Sequence, residues 1–312
     1  MQKIIVIGGS RYFGRLLVER LHAAGHRVTV VNRGSTPPPE GVEHLVVDRN
    51  DEAALGAALA GRTFDTVVDQ VCYTPVQAAI AARAFAGRTR RYVMTSTIEV
   101  YDPATADLPA VPAGTPVPEA VVDPAAWRVA PDLPWHDPAY LEAHYAEGKR
   151  QAEAVLAGAG GFAFASVRSA HVLGGGALDF TGRLAHYTGR IARGEEIAVH
   201  AEPLPTVFIH HEELADLLAW AAGAEFTGPV NACSDGPLDV HGLTAAITAR
   251  TGREALLRTV PAGADASPFS FDRPYAMSNS RAKELGFRFS RTADWLPGAV
   301  AEALAAYPSH RA

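Results

Sequence analysis

Met1-Gln-Lys-Ile-Ile-Val-Ile-Gly8-Gly9-Ser10-Arg11-Tyr12-Phe13-Gly14-Arg-Leu-Leu-Val-Glu19 is the stretch whose reading decides the fold. Ile4 to Ile7 form a short apolar run, the mark of a buried parallel strand. The run breaks at Gly8-Gly9, and apolar residues resume at Phe13, Leu16, Leu17 and Leu21 with helical spacing. A strand turning through glycines into a helix points backbone N–H groups and the positive end of a helix dipole at one spot. Gly8, Gly9, Ser10, Arg11, Tyr12, Phe13 and Gly14 are therefore expected to cradle a diphosphate. Arg11 stands where a glycine is expected.

Working outward, strand patterns at Lys3–Ile7, Arg27–Asn32, Glu43–Val47, Thr66–Asp69 and Arg91–Thr95 alternate with helical patterns at Gly14–Ala24, Asp51–Leu59 and Pro75–Phe85. Such alternation implies right-handed crossovers, hence an α/β chain with a Rossmann-type doubly wound parallel sheet. A proline-rich stretch from Asp102 to Pro138 has no sustained periodicity and reads as a functional loop, a lid or substrate loop. Tyr140–Ala159 reads as one alanine-rich helix and Phe162–Arg168 as a strand. After Gly174 the pattern is less regular, with helices near Asp179–Arg193, Glu212–Ala222, Gly242–Thr251, Ser280–Leu285 and Asp294–Tyr307. The expected division is a dinucleotide-binding domain over 1–173, to which some later segments return, and mainly a substrate-binding cap over 174–312.

The 312 residues carry 34 acidic against 28 basic side chains, a formal charge of −6, which argues against a nucleic-acid surface. Cys72 and Cys233 show no metal spacing and suit a reduced, cytoplasmic setting. No stretch approaches the ~20 apolar residues of a membrane span. Trp127 and Trp135 read as packing the proline-rich loop onto the sheet. His136, His144, His171, His186, His210 and His211 show no convincing ligand arrangement with acids, so no metal is expected.

The end of the second strand, about 20 residues beyond the glycine loop, is where ribose hydroxyls are expected. An acid there would favour NAD, but the residues are Asn32 and Arg33. Asn32 removes a charge that repels a 2′-phosphate, and Arg33, with Arg11, can pair with one. The expectation is NADP in preference to NAD, against the alternative that both arginines are solvated loop residues. Asp48 and Arg49 follow the third strand on the same side; Asp48 can accept from an adenine amino group.

Tyr145 and Lys149 are four residues apart on the expected helix and share one face. A nearby cation favours the phenolate, and such a tyrosine can exchange a proton with an oxygen while hydride moves at the attached carbon. Met94-Thr95-Ser96-Thr97-Ile98-Glu99 supplies hydroxyls at the carboxyl edge of the sheet, where doubly wound folds bind ligands.

Taken in order, these motifs resemble the extended short-chain dehydrogenase/reductases, the NAD-dependent epimerase/dehydratase family. The likeness covers most of the chain: the Gly8…Gly14 loop, Thr97 four residues before Tyr101, Tyr145-x-x-x-Lys149 with Glu153 after it, Arg168-Ser-Ala-His171-Val-Leu-Gly174, Phe208-Ile-His-His-Glu-Glu-Leu-Ala215 and Val230-Asn-Ala-Cys-Ser234. It implies that Thr97 orients the substrate oxygen, that Tyr145 is the acid/base, and that Lys149 lowers its pKa and bonds the nicotinamide ribose. Thr95 falls on the cofactor side; Glu99 and His171 join Thr97 and Tyr145 on the substrate side. The implied function is an NAD(P)-dependent oxidoreductase for a secondary alcohol or ketone of a small metabolite, the alternative an epimerase of a sugar or sugar nucleotide. A homodimer through helices near Pro75–Phe85 and Tyr145–Ala157 is a possibility the family carries.

The departures matter as well. Gly8-Gly9-Ser10-Arg11-Tyr12 is similar to a divergent subgroup, some of whose members bind RNA, so a non-catalytic or cofactor-sensing relative is a minor alternative. Isoleucine at 98 replaces the acid of sugar-nucleotide dehydratases, and an acid must protonate the leaving hydroxyl in that reaction. Pro205-Thr206-Val207 carries no arginine before Phe208, where sugar-nucleotide epimerases place one on the substrate diphosphate. Both departures point to a smaller, less charged substrate.

Overall fold

The computed structural model describes residues 1–112 and 114–306. The elements run β1 (Lys3–Ile7), α1 (Tyr12–Ala23), β2 (Arg27–Asn32), β3 (Glu43–Val46), α2 (Glu52–Ala58), β4 (Phe64–Asp69), α3 (Pro75–Phe85), β5 (Thr89–Thr97), α4 (Pro138–Ala143), α5 (Tyr145–Gly158), β6 (Ala163–Ser169) and β7 (His171–Leu173). They continue with α6 (Arg183–Arg193), β8 (Glu196–His200), β9 (Phe208–His210), α7 (His211–Gly223), β10 (Gly228–Ala232), α8 (Val240–Thr251), β11 (Leu256–Val260), α9 (Ser280–Glu284) and α10 (Thr292–Ala306). Seven strands form one parallel sheet in the order β10-β6-β5-β4-β1-β2-β3. The order reverses beside β1, which places a ligand crevice at the carboxyl ends of β1 and β4.

Alternate residues of β1 serve opposite faces, as the two-residue strand period requires. Ile4 and Val6 pack with Leu17, Val18 and Leu21 of α1 and Leu214, Leu217 and Leu218 of α7. Ile5 and Ile7 pack with Ile80, Ala81 and Phe85 of α3 and Ala152 and Leu156 of α5. A sheet covered on both faces needs apolar side chains at every position, hence the continuous Ile4–Ile7 run. A third cluster, built from Leu184, Tyr187 and Ile191 of α6, Val240, Leu243 and Ile247 of α8 and Leu296 and Val300 of α10, forms the cap's own core.

The chain differs from the sequence reading at several places. The expected single helix over 140–159 is two, because His144 leaves helical geometry (φ −118°, ψ 26°) and stacks on Tyr140 with ring centroids 3.9 Å apart. Tyr145 consequently begins α5. The helix expected from Asp179 starts only at Arg183: Gly182 is left-handed (φ 63°), and Asp179 binds back to Thr181. The last helix starts at Thr292 and is described to Ala306; Tyr307 lies outside the described residues. Strands β7 to β11 had no counterpart in the pattern. Of these, β10 joins the main sheet beside β6, so the chain returns to it after α7.

Candidate active site

In the loop between β1 and α1, Gly8 and Gly9 hold positive φ (93° and 76°). A Cβ on Gly9 would come within 2.9 Å of Val6 and Val18, and one on Gly14 within 2.2 Å of Gln70 Oε1. Arg11 takes ordinary extended geometry (φ −139°, ψ 156°) with its side chain exposed, so the missing glycine costs nothing in torsion there. The left-handed torsion falls on Tyr12 instead (φ 51°). It is held there by its hydroxyl, which donates to Gly174 O at 2.9 Å, and by parallel stacking on His211 at 5.5 Å. Tyr12, expected on the cofactor side, lines the cavity, while its phenol is engaged with the Gly174 turn. No side chain caps α1 and no acid lies in its first turn, which leaves its N–H groups open to an anion.

A cavity of about 480 Å³ lies along this loop, bordered by Gly8 to Phe13, by Asn32 and Arg33, by Asp48 and Arg49, and by Gln70, Tyr73 and Phe180. No carboxylate stands at the end of β2. Asn32 is fully engaged, donating to Ser10 Oγ (2.6 Å) and Thr36 O (3.1 Å) and accepting from Gly34 N (2.7 Å), with His44 Nε2 at 2.9 Å. Its amide thus shapes the loop rather than waiting for a ribose. Arg33 and Arg11 are exposed at the rim, and among the described residues neither has an ion-pair partner. Asp48 uses Oδ1 on Asn50.

Arg49 lines the cavity but is 7% exposed; its Nη1 donates to both Asp69 carboxylate oxygens (2.7 and 2.6 Å) and its Nη2 to Gln77 O. Burial opposes its charge, but Asp69 together with Cys72 and Tyr92 holds its pKa up, so Arg49 is an already paired cation beneath the cavity. Gln70 was not expected. Its Oε1 packs on Gly14, and its buried Nε2 has no partner among the described residues, a donor a bound dinucleotide would satisfy. The residues present therefore fit such a group.

Tyr73 separates this cavity from the expected catalytic residues. Its ring lies 4.5 Å from Lys149 Nζ and 6.2 Å from the Tyr145 ring. Lys149 is buried, donates to Thr95 O at 2.9 Å, and is brought down to about 8 by burial. Thr97 ends β5 beside Tyr145, which begins α5. Burial and Tyr73 push the Tyr145 phenol up, against the lowering from Thr97 and Arg183. The expectation that Lys149 lowers this pKa is not met in this arrangement: the ammonium is 5.9 Å from the Tyr145 ring and turned to a carbonyl. Thr95 contributes that carbonyl, while its buried hydroxyl has no partner among the described residues.

On the far side of Thr97, Glu99 accepts from the Tyr275 hydroxyl. His171 is 4% exposed among Phe208, Phe269, Phe271 and Tyr275, its Nε2 has no partner among the described residues, and burial brings it down to about 3, so it stays neutral. Arg183, at the start of α6, acts electrostatically on both Tyr145 and His171. Arg273 is paired with Asp102, and Arg281 donates to Thr227 O. Trp127 donates to Glu147 and Trp135 to Ala130 O, which pins the proline-rich loop onto α5. The histidines hold one surprise: His210 and His211 meet Glu302, 91 residues further along the chain than His211.

Fold and cavity define a dinucleotide-binding protein of the Rossmann type. The chain belongs to the NAD dependent epimerase/dehydratase family, whose model matches residues 4–232. It is 36% identical over 124 residues to 2′-dehydrokanamycin reductase of Streptomyces kanamyceticus, a match covering 39% of this chain and 33% of that protein. The chain thus spans about a third of the length of that curated relative. In structure it is similar to the Bordetella bronchiseptica enzyme WbmH in complex with NAD+ (TM-score 0.71, 18% identity, 99% of each chain covered). It is equally similar to the Thermus thermophilus UDP-glucose 4-epimerase in complex with NAD (TM-score 0.71, 20% identity, 98% of this chain and 100% of that one). At these identities the two structures speak to the fold alone. Among the described residues no helix is long and apolar enough to cross a membrane.

Proposed function

We propose that this chain is an NAD(P)-dependent oxidoreductase acting on a secondary alcohol or ketone of a small metabolite. The observation that carries the reading is the placement of Thr97, at the carboxyl end of β5, beside Tyr145 at the start of α5, with Lys149 on the same helix face and the dinucleotide cavity beyond Tyr73. When bound, the nicotinamide supplies or accepts the hydride. Tyr145 Oη gives its proton to the carbonyl oxygen in reduction and takes it back in oxidation; its raised pKa suits the donor role near neutral pH. Thr97 holds that oxygen, and Lys149 bonds the ribose on the cofactor side. His171, neutral, and Glu99, fixed by Tyr275, border the substrate.

Two unpaired arginines at the rim and the absence of a carboxylate after β2 support NADP over NAD. Thr206, fully buried and bound to Tyr275 O, and buried Val207 offer no cation for a nucleotide diphosphate, which supports a small substrate. Ile98, 2% exposed in the main core, cannot protonate a leaving hydroxyl, which argues against dehydration. The reading includes a cytoplasmic homodimer formed through α3 and α5, testable by light scattering.

Tyr145→Phe is expected to lower kcat about 10²–10⁴-fold in dinucleotide-coupled reduction of a ketone panel, with dinucleotide affinity by fluorescence unchanged. Unaltered turnover would sink the reading and favour a non-catalytic relative. Arg33→Ala and Arg11→Ala should each weaken NADP and leave NAD alone; if neither does, the NADP preference is wrong. Dinucleotide retained through gel filtration, with no net redox turnover, would shift the assignment to an epimerase using the same three residues.

A further inference from the structure

His210 ends β9 and His211 begins α7. Their side chains converge: a Cβ on Gly174 would meet His211 Nδ1 at 2.6 Å and His210 Nε2 at 2.7 Å. Glu302 of α10 reaches the same spot from the cap, its Oε2 accepting from the Gly175 N–H at 2.7 Å. One ring nitrogen of each histidine and one carboxylate oxygen of Glu302 lie within 4.8 Å of one another.

Three polar groups gathered this closely ordinarily hydrogen-bond to each other. Here none of the three side chains bonds another among the described residues, and His211, 5% exposed, has an Nδ1 with no partner among them. Its ring is fixed from one side by stacking on Tyr12, and the His210 ring packs 5.3 Å from Trp295. The other charged groups acting on the pair are Glu212 and Glu213, which favour a cation, and Arg20, which opposes one but is engaged with Glu212 and Asp216.

We propose that His210, His211 and Glu302 form a binding site for a divalent metal ion of the zinc class. Two imidazoles and one carboxylate are borderline ligands of the kind zinc takes, with water in the fourth position. With mutual separations within 4.8 Å, a point about 2.8 Å from each ligand atom exists, so each side chain must move by under about 1 Å to reach bonding distance. Gly174 leaves room for that convergence, which any side chain would fill. The ion would tie α10 and the Gly174–Gly176 turn to His211 and thereby to left-handed Tyr12, a structural clip between cap and glycine loop. It plays no part in the hydride chemistry proposed above and stands or falls separately from it.

The test uses the untagged full chain stripped with EDTA and titrated with zinc by calorimetry, with metal content measured after desalting. The expected result is one equivalent bound with low-micromolar or tighter affinity, a higher Tm with zinc than with EDTA, and visible bands of tetrahedral Co²⁺ on cobalt substitution. Glu302→Gln retains the bond to Gly175, and His210→Gln alters a half-buried side chain. Each should keep the EDTA-state Tm and lose at least about tenfold in zinc affinity, as expected for removal of one ligand. Absence of a stoichiometric site in the wild type, or equal binding by both variants, would overturn the assignment.

Discussion

Glu153→Gln is the sharpest perturbation of the frame that holds the catalytic edge. Glu153 of α5 and Arg168 of β6 are both fully buried and joined at 2.6 Å, with two further contacts at 3.1 and 3.2 Å. Arg168 spends its remaining donors on the Tyr101 hydroxyl (2.8 Å), Glu119 O (3.0 Å) and Val122 O (2.8 Å). Tyr101 in turn donates to Asn231 of β10 at 2.7 Å, and Glu119 accepts from the Asn231 N–H at 2.8 Å. One cation therefore binds a helix, two neighbouring strands and the proline-rich loop just past Thr97. Glutamine preserves volume but strips the countercharge, and an uncompensated buried charge costs about 3–5 kcal/mol. At about 2 °C of Tm per kcal/mol for a chain of this size, the loss is about 6–10 °C by calorimetry. Adding Arg168→Met removes the stranded charge but leaves the Glu119 and Val122 carbonyls without their donor, while the Tyr101 hydroxyl keeps its bond to Asn231, so the double variant should recover only part, with a coupling energy of about 1–3 kcal/mol. A Tm within about 2 °C of wild type for the single variant, or strictly additive losses, would refute the claim that the pair is a charged unit.

Lys149 gives a pH signature. Its pKa is about 8 in the fold against 10.5 ordinarily, so between those values the unfolded chain binds the proton that the folded one has released. Stability must then rise with pH across that window relative to Lys149→Met, and urea titrations showing a flat or falling difference would contradict it. Tyr73→Ala admits water to the ammonium and should narrow the same window; an unchanged window means the ring does not exclude water. Gly9→Ala combines a left-handed alanine, about 1–2 kcal/mol, with overpacking against Val6 and Val18, about 1–3 kcal/mol. A cost of about 2–5 kcal/mol is expected together with weakened dinucleotide binding, and a stability within about 1 kcal/mol of wild type would mean the loop yields where the close contacts say it cannot.

The sheet was legible because its inner strands are covered on both faces and so read as unbroken apolar runs between turns. Spacing put Tyr145 and Lys149 on one helix face, but only the Thr97 strand end and the family resemblance marked them as a candidate site rather than a surface pair. What escaped lies in contacts that spacing does not encode. Strands β7 and β9 have three residues each, too few for a period. Tyr73 sits in the loop between β4 and α3, and the close approach of α5 to that loop at Gly148, where a Cβ would meet Tyr73 O at 2.4 Å, brings its ring beside Lys149. Arg49 was placed on the cofactor side by its position after β3, but sequence could not show that Asp69, 20 residues on, pairs with it. Glu302 and the two histidines could be joined only by the docking of α10 on β9 and the Gly174 turn.

The glycine loop shows how such a contact changes the meaning of a motif. In a loop with glycine at position 11 the backbone is free to bend there, and the next side chain need not touch the cap. Arg11 instead lies extended and the bend falls on Tyr12, a residue for which left-handed torsion is unfavourable by about 1–2 kcal/mol. That strain persists only where surrounding contacts over-determine it. Here those contacts, Gly174 O and the His211 ring, belong to the turn after β7 and the start of α7. The shape of the dinucleotide loop is thus set partly by a turn that also binds Glu302 of α10 and leads into α6, so whatever seats α10 firmly on that turn also fixes the loop. By linkage the converse holds: a dinucleotide that binds only the ordered loop must tighten the cap by the same free energy.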